Sequence, residues 1–218
     1  MMQIKSFCFN PFGENTYVLY DESGEAIVID PGCSNREEEN QLSGFLADEK
    51  LRVTALINTH CHIDHVLGNS FVMDTYGVPL LIHPDDAPLL KANEVVAPMY
   101  GIPNFRAPQP DGFLNAGDRF GFGNTELEIL HLPGHAPGHI GLYDAVSRCC
   151  IAGDVLFLGS IGRTDLPGGD YDTLIQSIRK RLFPLGDEVT VYPGHGPPTT
   201  IGRERRSNPF CGDPVSQN

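Results

Sequence analysis

Thr59-His60-Cys61-His62-Ile63-Asp64-His65 places three imidazoles and a carboxylate within six positions, directly after an apolar run at 53–58. Such short steps share no helical face, where ligands would stand three or four residues apart. The segment is therefore expected to be a loop and not a zinc-protease helix of the His-Glu-x-x-His kind. In an extended or turning chain His60 and His62 point the same way and can hold one metal, while Asp64 and His65 turn away toward a second. Two ligands per ion are too few, so the reading demands further ligands elsewhere in the chain.

They stand at later strand ends. His135 lies in Pro133-Gly134-His135-Ala136-Pro137-Gly138 after the apolar run 127–132, Asp154 follows Ile151 and Ala152, and His195 lies in Pro193-Gly194-His195-Gly196 after the run 189–192. Each time a short β-branched or apolar run meets turn residues and delivers one ligand. Further strand candidates are 16–20, 26–30, 79–83 and 149–153. Helical spacing marks 36–49, with Ser34 or Asn35 as cap, and 172–182, with Leu174, Ile175, Ile178 and Leu182 on one face. The stretches 84–115 and 159–170 are rich in Pro and Gly and are expected to be loops or short helices over the surface. Histidines fall in both halves of the chain, so a shared site belongs at the junction of the halves.

The 218 residues suffice for one domain with a real core, with 202–218 expected as a closing segment with a mobile end. A fold of this size buries roughly 70% of its unfolded surface, so a metal would serve chemistry and not mere folding. With 15 basic against 28 acidic residues the net charge is −13, which argues against nucleic acid and anionic lipid as partners. No basic start precedes an apolar stretch, and no apolar run approaches about 18 residues, so a cytoplasmic protein with no membrane anchor is expected. Six cysteines without framework spacing, two of them adjacent at Cys149 and Cys150, read as reduced thiols.

His-x-His-x-Asp-His followed by Pro-Gly-His, Gly-Asp and Pro-Gly-His resembles the metallo-β-lactamase superfamily over nearly the whole chain. The resemblance implies an α+β fold, a four-layer αββα sandwich, with a binuclear site at one edge. His60, His62 and His135 would hold the first ion, Asp64, His65 and His195 the second, and Asp154 would bridge them. Asp30, in Asp30-Pro31-Gly32, is similar to the superfamily's first motif and would orient a ligand imidazole; His139 is expected in a similar supporting or structural place. Two divalent ions are implied, zinc first, with iron or manganese as alternatives.

Within the superfamily, Gly153-Asp154-Val155-Leu156-Phe157 and the stretch 159–168 resemble the glyoxalase II branch, the hydrolases of S-hydroxyacylglutathione thioesters. The segments 10–17 and 200–210 look like its short bacterial members. Arg163, nine positions after Asp154, occupies the place where long members grip the glutathione carboxylate, but their tyrosines are replaced by Asp165 and Pro197. Only 23 residues follow His195, so the long members' helical extension is not expected. The implied reaction is hydrolysis of a small-molecule thioester, S-D-lactoylglutathione foremost, by a metal-bridging hydroxide, with Asp64 and Asp154 the catalytic carboxylates. Alternatives from the same superfamily are a mononuclear iron persulfide dioxygenase and a hydrolase of another small ester or lactone. A monomer or weak homo-oligomer is expected. His83 and His131 read as structural, Cys61 as facing away from the ligands, and Arg203, Arg205 and Arg206 as surface or structural ion pairs.

Overall fold

Strand β3 (Glu25–Ile29) explains the layering. Its Ala26 and Val28 join one apolar cluster and its Ile27 and Ile29 another, so a period of two sends alternate side chains to opposite faces and both faces are covered. The computed structural model describes residues 1–213, and the last part of the expected closing segment, 214–218, lies outside the described residues.

One sheet runs in chain order through β1 (Gln3–Phe9), β2 (Glu14–Tyr20), β3, β4 (Arg52–Ile57), β5 (Leu80–Ile82) and β6 (Gly112–Phe113). Its first three strands are antiparallel, and β3 to β6 are parallel. The second sheet has the order β14, β13, β10, β9, β8, β7, built from β7 (Arg119–Phe122), β8 (Thr125–His131), β9 (Ile140–Asp144), β10 (Cys149–Gly153), β13 (Thr190–Pro193) and β14 (Thr199–Thr200). A small hairpin, β11 (Leu156–Phe157) with β12 (Ser160–Ile161), stands beside it.

The sheets meet face to face through Tyr17, Ile27, Ile29 and Ile57 against Leu127, Ile129, Ile140 and Leu142. Outside the first sheet pack α1 (Arg36–Asp48), α3 (Asn69–Tyr76) and α4 (Ala87–Val96), through Leu42, Leu46, Val72 and Leu90. Outside the second pack α5 (Tyr171–Ser177) and α6 (Ile201–Ser207), through Leu174 and Ile201 against Cys150, Ala152 and Val191. The result is the expected four-layer αββα sandwich.

Local signals account for the helix ends. The Asn35 side chain accepts the N–H groups of Glu37 and Glu38 and three acids follow in the first turn, favourable at the positive end of α1. Asp170 caps α5, which runs on as a π turn at Ile178–Leu182 and keeps Leu174, Ile178 and Leu182 buried. The stretch 84–115, expected as loops or short helices, contains the ten-residue helix α4, opened by Pro88, whose missing N–H costs nothing in a first turn. Within the expected ligand loop, Ile63–Val66 closes into the single helical turn α2, so Asp64 and His65 sit on a helical turn and only His60 to His62 are loop. The closing segment begins with α6, where Arg205 and Arg206 both reach Asp187, as structural ion pairs. No helix among the described residues is long and apolar enough to cross a membrane.

Candidate metal centre

The ends of β4, β8, β10 and β13 open onto one edge of the sandwich, and the loops beyond them bring all seven expected ligands together. Two triads form, His60, His62 and His135 in one and Asp64, His65 and His195 in the other, each with its donor atoms mutually within 4.8 Å. Asp154 lies between them. Its Oδ2 is 3.5 Å from His135 Nε2 and 3.6 Å from His195 Nε2, and its Oδ1 is 3.5 Å from His65 Nε2.

These side chains fit cations better than they fit one another. His135 gives its Nδ1 proton to the Arg163 carbonyl at 2.7 Å, which leaves Nε2 a bare acceptor, yet that atom faces His62 Nδ1 at 2.8 Å and His60 Nε2 at 3.2 Å. Burial first, and then the neighbouring imidazoles, keep His60 and His62 neutral, the latter with its pKa pushed down to about 3. The bare Nε2 atoms of His60 and His135 face each other at 3.2 Å, and a cation between them and His62 would satisfy both lone pairs. Tetrahedral ligands at zinc–nitrogen distances stand about 3.3 Å apart, close to this spacing. His65 Nε2 of the second triad and Oδ1 of the central Asp154 are buried without a hydrogen-bond partner. Buried polar atoms left unpaired are costly, and a metal ion would satisfy both.

Outer partners fix the imidazoles. Asp30 accepts from Thr59 N–H at 2.6 Å and from the Thr59 hydroxyl at 2.5 Å, and His65 Nδ1 stands 3.2 Å from its Oδ2. The Thr59 oxygen, its proton given to Asp30, faces His60 Nδ1 at 3.2 Å. One carboxylate thus orients an imidazole of each triad. Asp30 holds φ at 49°, a left-handed backbone that asparagine tolerates. Asp30→Asn is therefore expected to keep the fold and weaken metal binding about 10- to 100-fold, the usual effect of losing such a partner. Chelator competition measures it, and unchanged affinity would remove the role.

His139 accepts the Asp154 backbone N–H at 3.0 Å and stacks on His60 at 4.8 Å, so it steadies the backbone of the central carboxylate and does not join either triad. Close approach here demands glycine: a Cβ at Gly153 would lie 2.4 Å from Thr59 Oγ1, and one at Gly194 would lie 2.2 Å from Asp154 Oδ1. Burial opposes the charge on Asp64, but His65 and His195 hold its pKa below the ordinary carboxylate value.

Some supporting residues escaped the sequence reading. Asp86 is buried and accepts from Cys61 N–H at 2.8 Å and Gly138 N–H at 2.6 Å, tying the two main ligand loops together. Asn93 donates to the Cys61 carbonyl at 2.8 Å. The Cys61 side chain is buried and lies in neither triad, as expected. On the opposite side Asn15 donates to the carbonyls of Pro193 and Gly196, the Tyr17 hydroxyl donates to that of Pro193, and His195 Nδ1 stands 3.2 Å from Gly13 O, so β2 carries the last ligand loop. His83 and His131 stack in parallel at 4.2 Å with 6° between ring planes. Parallel rings offer no point lying in both planes, which suits a structural pair and not a chelate.

A cleft of about 530 Å³ opens over the triads, walled by Phe12, Leu89, Val96, Tyr100, Phe157 and Leu166. Arg163 stands on its rim with its side chain paired to Asp165.

The sequence model of the Metallo-beta-lactamase superfamily matches residues 9–195. The chain belongs to that superfamily. Over 211 residues it is 40% identical to the hydroxyacylglutathione hydrolase GloC of Haemophilus influenzae, covering 96% of this chain and 98% of that one. Among solved structures it resembles the B3 metallo-beta-lactamase BLEG-1, with TM-score 0.88, 35% identity and coverage of 97% and 100%. It also resembles TTHA1623 in a di-iron-bound form, with TM-score 0.85, 38% identity and coverage of 94% and 99%. The chain is thus a superfamily hydrolase, with His and Asp clusters able to bind metal.

Proposed function

We propose that the protein is a metal-dependent thioester hydrolase of the glyoxalase II type, acting on S-hydroxyacylglutathione esters with S-D-lactoylglutathione foremost. The carrying observation is the Asp154 carboxylate, which lies within 3.6 Å of nitrogens from both triads at the floor of an open cleft. Likeness to GloC over nearly the whole chain supports the choice of substrate.

His60, His62 and His135 would hold one divalent ion, Asp64, His65 and His195 the other, and Asp154 both. Zinc is the first choice; iron and manganese suit the same donors, and a relative carries two irons. Such ions supply a water of lowered pKa and a Lewis acid for the carbonyl oxygen. Asp64, at the cleft wall with Oδ2 3.1 Å from His195 Nε2, accepts a hydrogen bond from the attacking water and orients it. The apolar walls exclude bulk water from the substrate carbonyl. A thiol has a pKa near 8.5, so the sulfur departs without a protein acid.

Turnover of S-D-lactoylglutathione by metal-quantified protein tests the reading. Hydrolysis with release of one thiol per ester is the expected result. Oxygen uptake with glutathione persulfide in its place would replace the proposal by the dioxygenase chemistry, and turnover confined to lactones or oxygen esters would replace the thioester.

A further inference from the structure

Among the described residues Arg163 is the only lysine or arginine lining the cleft, and its useful edge is already taken. Nε donates to Asp165 Oδ1 and Nη2 to Oδ2, both at 2.7 Å, which is the two-pronged geometry a substrate carboxylate would need. Asp165 is ionised throughout the working range, since its pairing with Arg163 pulls its pKa down to about 2. The Arg163 carbonyl is meanwhile held by His135 Nδ1, which fixes the backbone from which this side chain projects.

Around this neutralised pair the walls are apolar. Phe12 and Tyr100 meet edge to face at 5.5 Å, and Leu89, Val96, Phe157 and Leu166 face the same space. Rigid aromatic and aliphatic walls bind through buried apolar surface, and an anion gains little at a rim where plus and minus charges cancel.

We propose that Asp165 is a specificity-determining residue: by pairing with Arg163 it weakens the hold of the cleft rim on an anionic thiol group such as glutathione, so that apolar contact carries more of the binding and neutral thiols are accepted beside it. The proposal rests on the thioester reading above for its substrate class. Both side chains of the pair are more than half exposed, 61% and 68%, so either can be replaced with little cost to folding. Asp165→Asn leaves a neutral side chain that releases the guanidinium. An anionic ligand then meets an unpaired arginine.

Binding of two thioethers, which have no acyl carbon for a thioester hydrolase to attack, separates this proposal from the reaction. S-Benzylglutathione carries carboxylates and S-benzyl-N-acetylcysteamine carries none. Calorimetry on the metal-loaded protein is expected to show that Asp165→Asn raises the preference for the anionic ligand roughly fivefold, the scale of one exposed charged contact. In the Arg163→Ala background the same substitution is expected to give no gain. With lactoyl thioesters of the same two thiols, the change belongs in KM and not in kcat.

An unchanged preference in Asp165→Asn overturns the proposal, and so does a gain that survives without Arg163, because that is the general effect of removing a negative charge. Failure of either benzyl ligand to bind in any variant overturns the apolar selection. If no thioester is hydrolysed but the preference shifts as stated, the proposed reaction falls and the masking of Arg163 stands.

Discussion

Asp154→Asn is expected to lower thioester turnover by at least about 100-fold, beyond the effect of an outer partner, and to leave the protein with one bound ion or none. The reason is electrostatic before it is geometric. Burial works to raise the pKa of this carboxyl, and the imidazoles of His65, His135 and His195 overcome it and hold the group far below its ordinary value. The charge is therefore present at every working pH, between two clusters of neutral or cation-seeking nitrogens. Asparagine has the same shape but removes the charge and leaves a single oxygen able to bind a metal ion, since its NH₂ group has no lone pair to give. Local structure should survive, since His139 still accepts the N–H of residue 154 and the substitution leaves the glycines at 153 and 194 in place. Native mass spectrometry gives ion stoichiometry and circular dichroism the fold. Full metal content with undiminished turnover would exclude Asp154 as the shared ligand.

The parts of this site that sequence reveals are those whose side chains have no other plausible use. His60, His62, His135 and His195 stand just beyond apolar strands, where the strand period stops and the turn residues begin, and that coincidence repeats at Asp154. The sandwich is legible for the same reason, because β3 and β10 are apolar on both faces and must be covered on both. Helix α4 was legible only as one of the short helices allowed in 84–115, without its bounds. Its buried face includes Leu90 and Asn93, and a polar residue that turns inward to serve the Cys61 carbonyl interrupts the apolar period by which a helix is recognised. Strand β1 was hidden by its position at a sheet edge, where much of it stays exposed and the alternation is weak. Glu14 is a buried acid whose carboxyl burial pushes well above its usual pKa, held by the Thr16 hydroxyl at 2.9 Å; nothing in its neighbours along the chain foretells that. Asp165 was visible only as a substitution for a tyrosine. Its meaning depends on the direction in which Arg163 points, and that is a fact of three dimensions.

Asp86→Ala is expected to be the most destabilising of the substitutions considered, by about 2 to 6 kcal/mol, because it strands two buried N–H groups at about 1 to 3 kcal/mol each. Those groups belong to Cys61 and Gly138, one in each of the loops that carry His60, His62 and His135. Loss of the carboxylate therefore unties the first triad as well as the fold, and metal affinity should fall with thermal stability. Asp86→Asn keeps one acceptor and is expected to lose about half as much, since its amide faces the second N–H as a competing donor. The pH dependence separates a charge effect from a packing effect. Burial, working against the two backbone N–H donors, pushes the Asp86 pKa up to about 6, above the value near 3.9 of an unfolded aspartate. The folded protein thus holds this proton more tightly than the unfolded chain does, and the contribution of Asp86 to stability declines as pH rises from about 4 to about 6. Asparagine has no proton to lose, so stability measured by denaturant from pH 4 to 7 should show that downward slope in the parent relative to Asp86→Asn. Parallel curves would mean that Asp86 acts through shape alone, and an Asp86→Ala variant with unchanged stability would mean that the two loops are held by something else.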